Sequence, residues 1–205
     1  MTKLFVYGML KHQNHYILSM VIQIMFGVNN NNGNKSNNIG VIGGNGYTFC
    51  SGSGDKTICM WDIETTKQLT VFKGHEQAVG SVKYGSNELG NTILSGSDDN
   101  SVRLWDIRSG QQIQVFDGHK HWVLAVEYLP FSSNVICSGS RDNTIRFWDI
   151  RSNKNELYMI KGDEKDDGIY SLKFISLKKK EKDNGKGNDF NLCFGSATGN
   201  IRVWG

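Results

Sequence analysis

The sequence predicts an all-β fold built from one four-stranded unit repeated four times, and three observations carry that prediction. A twelve-residue stretch recurs: Ser51 to Asp62 reads SGSGDKTICMWD, Ser95 to Asp106 SGSDDNSVRLWD, Ser138 to Asp149 SGSRDNTIRFWD, and a worn copy, GSATGNIRVWG, fills Gly195 to Gly205. Trp61, Trp105 and Trp148 stand 44 and 43 residues apart, and Trp204 follows after 56 because of an insert around Lys178 to Asp189. A second marker keeps step with the first, as Gly74-His75 and Gly118-His119, with Gly162-Asp163 where a third pair should fall. Third, short β-branched and aromatic runs alternate with Gly, Asp and Asn turns, the pattern of closely spaced strands.

A Gly-His pair followed some 30 residues later by Trp-Asp, at a period of 43 to 44, resembles the WD40 repeat of the G-protein β-like family. The resemblance covers nearly the whole chain. It implies a β-propeller with four recognisable blades, each of strands a to d from the centre outward. Most members of the family close with seven blades, so four imply an incomplete ring or part of a longer propeller, and the abrupt end at Gly205 agrees with that.

Taken in order, Tyr16 to Val28 (YILSMVIQIMFGV) is the most apolar run, yet at 13 residues with Gln23 inside it is too short to span a bilayer. No small-residue cleavage site follows it, which argues against a signal peptide. Ile17-Leu18-Ser19-Met20 instead lines up with Val79-Gly80-Ser81-Val82, Val123-Leu124-Ala125-Val126 and Ile169-Tyr170-Ser171-Leu172, making each of these a strand a. The polar stretch at 29–38, NNNNGNKSNN, cannot bury enough apolar surface to order itself and reads as a disordered loop of blade one. Strands b, c and d of that blade fall on Tyr47 to Ser53, Thr57 to Ile63 and Lys67 to Phe72. Blade two has Val79 to Tyr84, Thr92 to Ser97, Ser101 to Asp106 and Gln111 to Phe116. Blade three has Trp122 to Leu129, Val135 to Ser140, Thr144 to Asp149 and Glu156 to Lys161. Blade four has Ile169 to Ile175, Phe190 to Ser196 and Asn200 to Trp204, without a strand d. Lys3 to Tyr7 would supply it, since closure by the first strand removes exposed edges. The whole is one domain, 1–205, with blades at 16–72, 75–116, 119–161 and 163–205 and a Lys-rich loop at 178–189.

The repeated polar residues have a structural task. In the family a buried network joins the His of Gly-His, a Ser of strand b, the Asp of the b–c turn and the Trp of strand c. The resemblance places it on His75, Ser95, Asp99 and Trp105 in blade two and on His119, Ser138, Asp142 and Trp148 in blade three. Buried indole, imidazole and carboxylate groups each need a partner, and such a set supplies them mutually. Blade one keeps Ser51, Asp55 and Trp61, while His12 stands one residue too far from Ile17. Blade four loses the network, with Asp163 for His and Thr198 for Asp. A Ser, His and Asp set repeated once per blade is scaffold rather than a catalytic triad, and no P-loop, dinucleotide fingerprint or HExxH is present.

The composition and charge narrow the function further. A net charge of +3 is too small to point to nucleic acid or a membrane surface. The run from Lys178 to Lys182 is diluted by acids and lacks aromatics for stacking. Cys50, Cys137 and Cys193 occupy one place in three repeats, so the architecture holds them apart, and they read as small buried strand residues of an intracellular protein. No cofactor, metal or small-molecule substrate is implied. Partners are then other proteins, and open strand edges would also let copies of the chain associate.

In WD40 propellers partners dock on the face carrying the d–a and b–c loops. The matching positions here include Tyr16, Asp98, Trp122, Leu124, Arg141 and Tyr170, of which Trp122 and Arg141 have the character of an interface hot spot. On the other face, Trp105 to Arg108 and Trp148 to Arg151 both spell WDxR. That resembles the box through which substrate receptors of cullin-RING ubiquitin ligases engage an adaptor, with Arg108 and Arg151 as the contacts. The expectation is a non-enzymatic scaffold for protein complexes, with the ligase receptor as the alternative and nucleic-acid association third.

Overall fold

A computed structural model of the chain describes residues 22–26, 47–63, 65–85, 89–152, 156–177 and 189–204. Among them, fifteen strands form four antiparallel sheets. The first sheet is β1 (Ile22–Phe26), β2 (Tyr47–Gly52), β3 (Thr57–Asp62) and β4 (Gln68–Lys73). The second is β5 (Val79–Tyr84), β6 (Thr92–Ser97), β7 (Ser101–Asp106) and β8 (Gln112–Asp117). The third is β9 (Val123–Tyr128), β10 (Val135–Ser140), β11 (Thr144–Asp149) and β12 (Glu156–Lys161). The fourth has three described strands, β13 (Ile169–Leu177), β14 (Asp189–Ser196) and β15 (Ile201–Trp204). Each sheet is a meander of neighbouring strands, the blade that a four-strand repeat with tight turns dictates.

The register corrects one reading of the sequence. Val82 pairs with Ser95 in the second sheet and Val126 with Ser138 in the third, whereas Ser51 pairs with Ile22. Ile22, and not Met20, is therefore the counterpart of Val82, a register shift of two residues; the described strand is Ile22–Phe26, and Ile17 to Met20 lie outside the described residues. A slip of two keeps every side chain on its face of a period-two strand, so an unbroken apolar run cannot signal it. The remaining strand ends agree with the sequence to within one or two residues. The closing strand 3–7, the Asn-rich segment 29–38, Tyr16 and most of the Lys-rich loop lie outside the described residues.

Three hydrophobic clusters join the sheets side by side. Cys50, Ile58 and Met60 of the first meet Val82, Ile93 and Trp105 of the second. Leu94, Val102 and Leu104 of the second meet Val126, Ile136 and Trp148 of the third. Cys137, Ile145 and Phe147 of the third meet Ile169, Leu192 and Phe194 of the fourth. Adjacent residues of β6, Ile93 and Leu94, thus serve opposite neighbours, which is why all six residues of that strand are buried and read as a continuous apolar and small run.

At each junction a glycine of the second strand makes room for the next sheet. A Cβ on Gly52 would lie 2.6 Å from the Val79 carbonyl oxygen, one on Gly96 2.6 Å from Val123 Cγ1, and one on Gly139 2.7 Å from Ile169 Cγ2. The turn between the second and third strands has its own constraint. Lys56, Asn100, Asn143 and Gly199 occupy one place in the four repeats, with φ of 76°, 68°, 62° and 83°. Glycine and asparagine suit that left-handed backbone, whereas lysine does not.

Candidate functional site

The polar network is built where the sheets pack. Trp105 Nε1 donates to Ser95 Oγ at 2.8 Å, and His75 Nε2 lies 2.7 Å from the same oxygen. His75 Nδ1 is 2.8 Å from Asp99 Oδ2, and since a carboxylate only accepts, Nδ1 is the donor. Asp99 also accepts from Ser101 and from the Glu76 N–H, so its loop is tied at both ends. Burial alone would raise the Asp99 carboxyl, but these hydrogen bonds outweigh it and hold the group well below the ordinary carboxylate range.

Blade three repeats the set. Trp148 Nε1 donates to Ser138 Oγ at 2.9 Å, His119 lies 2.7 Å from that oxygen and 2.9 Å from Asp142 Oδ2, and Asp142 is depressed for the same reasons. In blade one Trp61 donates to Ser51 at 3.1 Å, while Asp55 is exposed and turns back on Thr57. In blades two and three the serine oxygen is held by indole and imidazole together, whereas in blade one the described partner of Ser51 is the indole of Trp61.

Blade four departs from the repeat at a residue that the sequence reading passed over. Phe194 pairs with Arg202 where Ser95 pairs with Arg103, so phenylalanine stands in the serine's place. Its ring fills the buried site, and Trp204 is displaced outward to 47% exposure beside Tyr158. Gly74 and Gly118 sit close over the indoles of Trp105 and Trp148, but the corresponding Gly162 faces Asn143. A new ion pair replaces the old network: Arg202 Nε donates to the buried Asp166 at 2.9 Å and holds its carboxyl below the usual range.

The loops that lead into strand a and those between strands b and c meet along one rim. A recurring backbone bond ties them: Asp98 N–H to the Ala78 carbonyl at 2.9 Å, Arg141 N–H to Trp122 at 2.9 Å, Ala197 N–H to Gly168 at 3.3 Å. These bonds bring Arg141 over the Trp122 ring, 5.2 Å from its centroid. A Cβ on Gly168 would be 2.9 Å from Arg141 Cα and 3.4 Å from Tyr170 Cε2, so Arg141 and Tyr170 flank the same glycine. Leu124 is half-buried, one strand position in from the rim.

His121 joins this rim although sequence reasoning missed it. Its Nδ1 accepts the Trp122 N–H at 2.8 Å, and the two rings are 5.0 Å apart. Burial and the neighbouring Asp99 carboxylate raise the Asp98 carboxyl, and His121 opposes that shift from the other side. Asp98, His121, Trp122, Arg141 and Tyr170 thus follow one another across three blades. The signal for His121 was its place in His119-Lys120-His121-Trp122, outside any repeated position.

At the opposite loop end, the Asp of each Trp-Asp caps the turn that follows. Asp62 accepts from Thr65 and Asp106 from Ser109. Asp149 accepts from Arg151 through N, Nε and Nη2, which holds the carboxyl at about 2. Both arginines are exposed, but at Arg108 the Asp106 carboxylate takes the N–H and hydroxyl of Ser109 instead of a guanidinium. The two WDxR arginines are therefore not equivalent. Cys50 and Cys137 are buried, with burial pushing the Cys50 thiol up to about 12. Cys193, expected to be buried as well, is half-buried on the uncovered side of the fourth sheet.

No helix among the described residues is long and apolar enough to cross a membrane. The family model described as "WD domain, G-beta repeat" matches residues 33–62, 66–106 and 110–149. A comparison with curated proteins returned no match.

Proposed function

Because the chain belongs to the WD40-repeat family, whose members typically assemble protein complexes and carry out no catalysis, we propose that it is a non-enzymatic scaffold that binds protein partners at the rim of Asp98, His121, Trp122, Arg141 and Tyr170. The observation that carries this reading is the Arg141 guanidinium over an indole that is itself 40% exposed. The pair is held in place by a backbone bond and not by burial, so it offers an amphipathic surface and forked donors at little conformational cost. Tyr170, 46% exposed, extends the same surface. Nucleic acid is disfavoured by the carboxylate of Asp98 within the rim and by the small net charge.

The test is the partner set captured by the tagged full chain, quantified for Trp122→Ala, Arg141→Ala and Arg108→Ala. Loss with the first two and retention with Arg108→Ala supports the rim. The reverse pattern, with a cullin-ligase adaptor among the proteins lost, would instead support the receptor reading.

A further inference from the structure

The three sheet junctions use the same positions, and the fourth sheet carries those positions with none of the described residues packed on them as at the other three. Ile58 and Met60, Val102 and Leu104, and Ile145 and Phe147 point from the third strand of one sheet into the next, and all six are between 0% and 9% exposed. Their counterparts in β15 are Ile201 and Val203, at 79% and 61%. On the second strand, Cys50, Leu94 and Cys137 are 0% exposed, whereas Cys193 is only half-buried. Gly52, Gly96 and Gly139 each receive the first residue of the next inner strand, Val79, Val123 and Ile169. Among the described residues Gly195 meets only Ser171 of its own sheet.

This face is thus the trailing half of a fourth junction, and the three complete junctions state what its other half is. It is the leading face of another blade, with a tryptophan on its third strand. The chain carries one such face that nothing described covers, on its first sheet. Trp61 is the counterpart of Trp105 and Trp148, which are 1% and 3% exposed, yet it is half-buried and stacked on the half-buried Phe49 at 6.2 Å. The exposure of Ile201 and Val203 means that the chain's own first sheet is not their cover.

We propose that two copies join head to tail, the fourth sheet of each taking the first sheet of the other. The contact is heterologous, and such contacts form rings when the rotation closes. Four described sheets from each copy make eight, within the four to eight that closed propellers use. This surface is the flank of a blade, distinct from the loop rim proposed for partners.

The experiment is light scattering of the full chain together with photo-crosslinking from a benzophenone amino acid placed at Val203. A mass of about twice 23.0 kDa is expected. It should fall to the single-chain value in the Ile201→Lys, Val203→Lys double variant and persist in Ile113→Lys, which alters another exposed apolar residue, on the outer strand β8. The crosslink should give a two-chain band joined to a peptide from β2 or β3, a readout that does not depend on the double variant folding. A single-chain mass at all concentrations, an open series of multiples, a crosslink within one chain, or a crosslink between two copies of β15 would each overturn the proposal.

Discussion

Trp105 and Ser95 share one hydrogen bond, 2.8 Å from indole nitrogen to hydroxyl oxygen, and it links the hydrophobic junction between the first two sheets to the loop held by Asp99. The bond couples two parts of the fold that would otherwise be independent. Removing the indole opens a cavity and strips the buried Ser95 hydroxyl of one of its partners, leaving it His75.

Trp105→Ala and Trp148→Ala should therefore each lower stability by about 3 to 5 kcal/mol. Trp204→Ala should cost less than about 1 kcal/mol, because that ring is half out in solvent and has lost its serine. Denaturant unfolding of the three variants checks this, and equal losses would contradict the altered state of the fourth blade.

The depressed carboxyls make stability depend on pH in a definite direction. Asp99 and Asp142 are held below their unfolded values, so they favour the folded state fully above roughly pH 4, the ordinary aspartate value. As pH falls below that point through the folded values, this contribution is lost. Urea midpoints measured from pH 7 down to 3 should decline, and the decline should be shallower in Asp99→Asn and in Asp142→Asn.

Lys56 has the one unfavourable backbone among the four equivalent turn positions, at φ 76° on an exposed site. Lys56→Gly should stabilise the chain by about 1 kcal/mol, the cost of a left-handed residue with a Cβ. The same change at Asn143 should gain little, because asparagine already tolerates the conformation and its amide donates to the Asp163 carbonyl at 2.6 Å.

Gly96→Ala should cost about 1 to 3 kcal/mol, since its Cβ would press on Val123 and Val126 inside a filled junction. Gly80→Ala, with nothing within 4 Å, should stay within about 0.5 kcal/mol of the parent. Thermal unfolding of the pair separates crowding from a general effect of losing glycine.

How much of this could be read from the residues alone depends on which physical signal each feature leaves. Trp61, Trp105 and Trp148 at constant spacing, with His75 and His119 in step, mark repeated units, and each unit is a single meander because its turns are too short for anything else. The position of β1 left no such mark. Its run is apolar at both parities and carries no Gly-His at the proper distance, so Met20 and Ile22 are equal candidates for the same place. Phe194 in the serine position was overlooked because Asp163 and Thr198 already explained a lost network. The consequence, the outward turn of Trp204, depends on volume in three dimensions. His121 belongs to no repeat and enters the rim only through a backbone bond to its neighbour and through proximity to Asp98.

The glycine that receives a β-branched residue at every junction gives the molecule a mechanical grain. Each blade is gripped by its neighbours at Gly52, Gly96 and Gly139, and within a blade all strands are neighbours in sequence, so a pulling force applied along the chain meets one blade at a time. A blade of some 43 residues pays out roughly 150 Å of chain when it lets go. In optical tweezers on a single chain the second and third blades, each gripped on both sides, would then give the highest rupture forces, and the first and fourth, each with one described junction, would yield earlier.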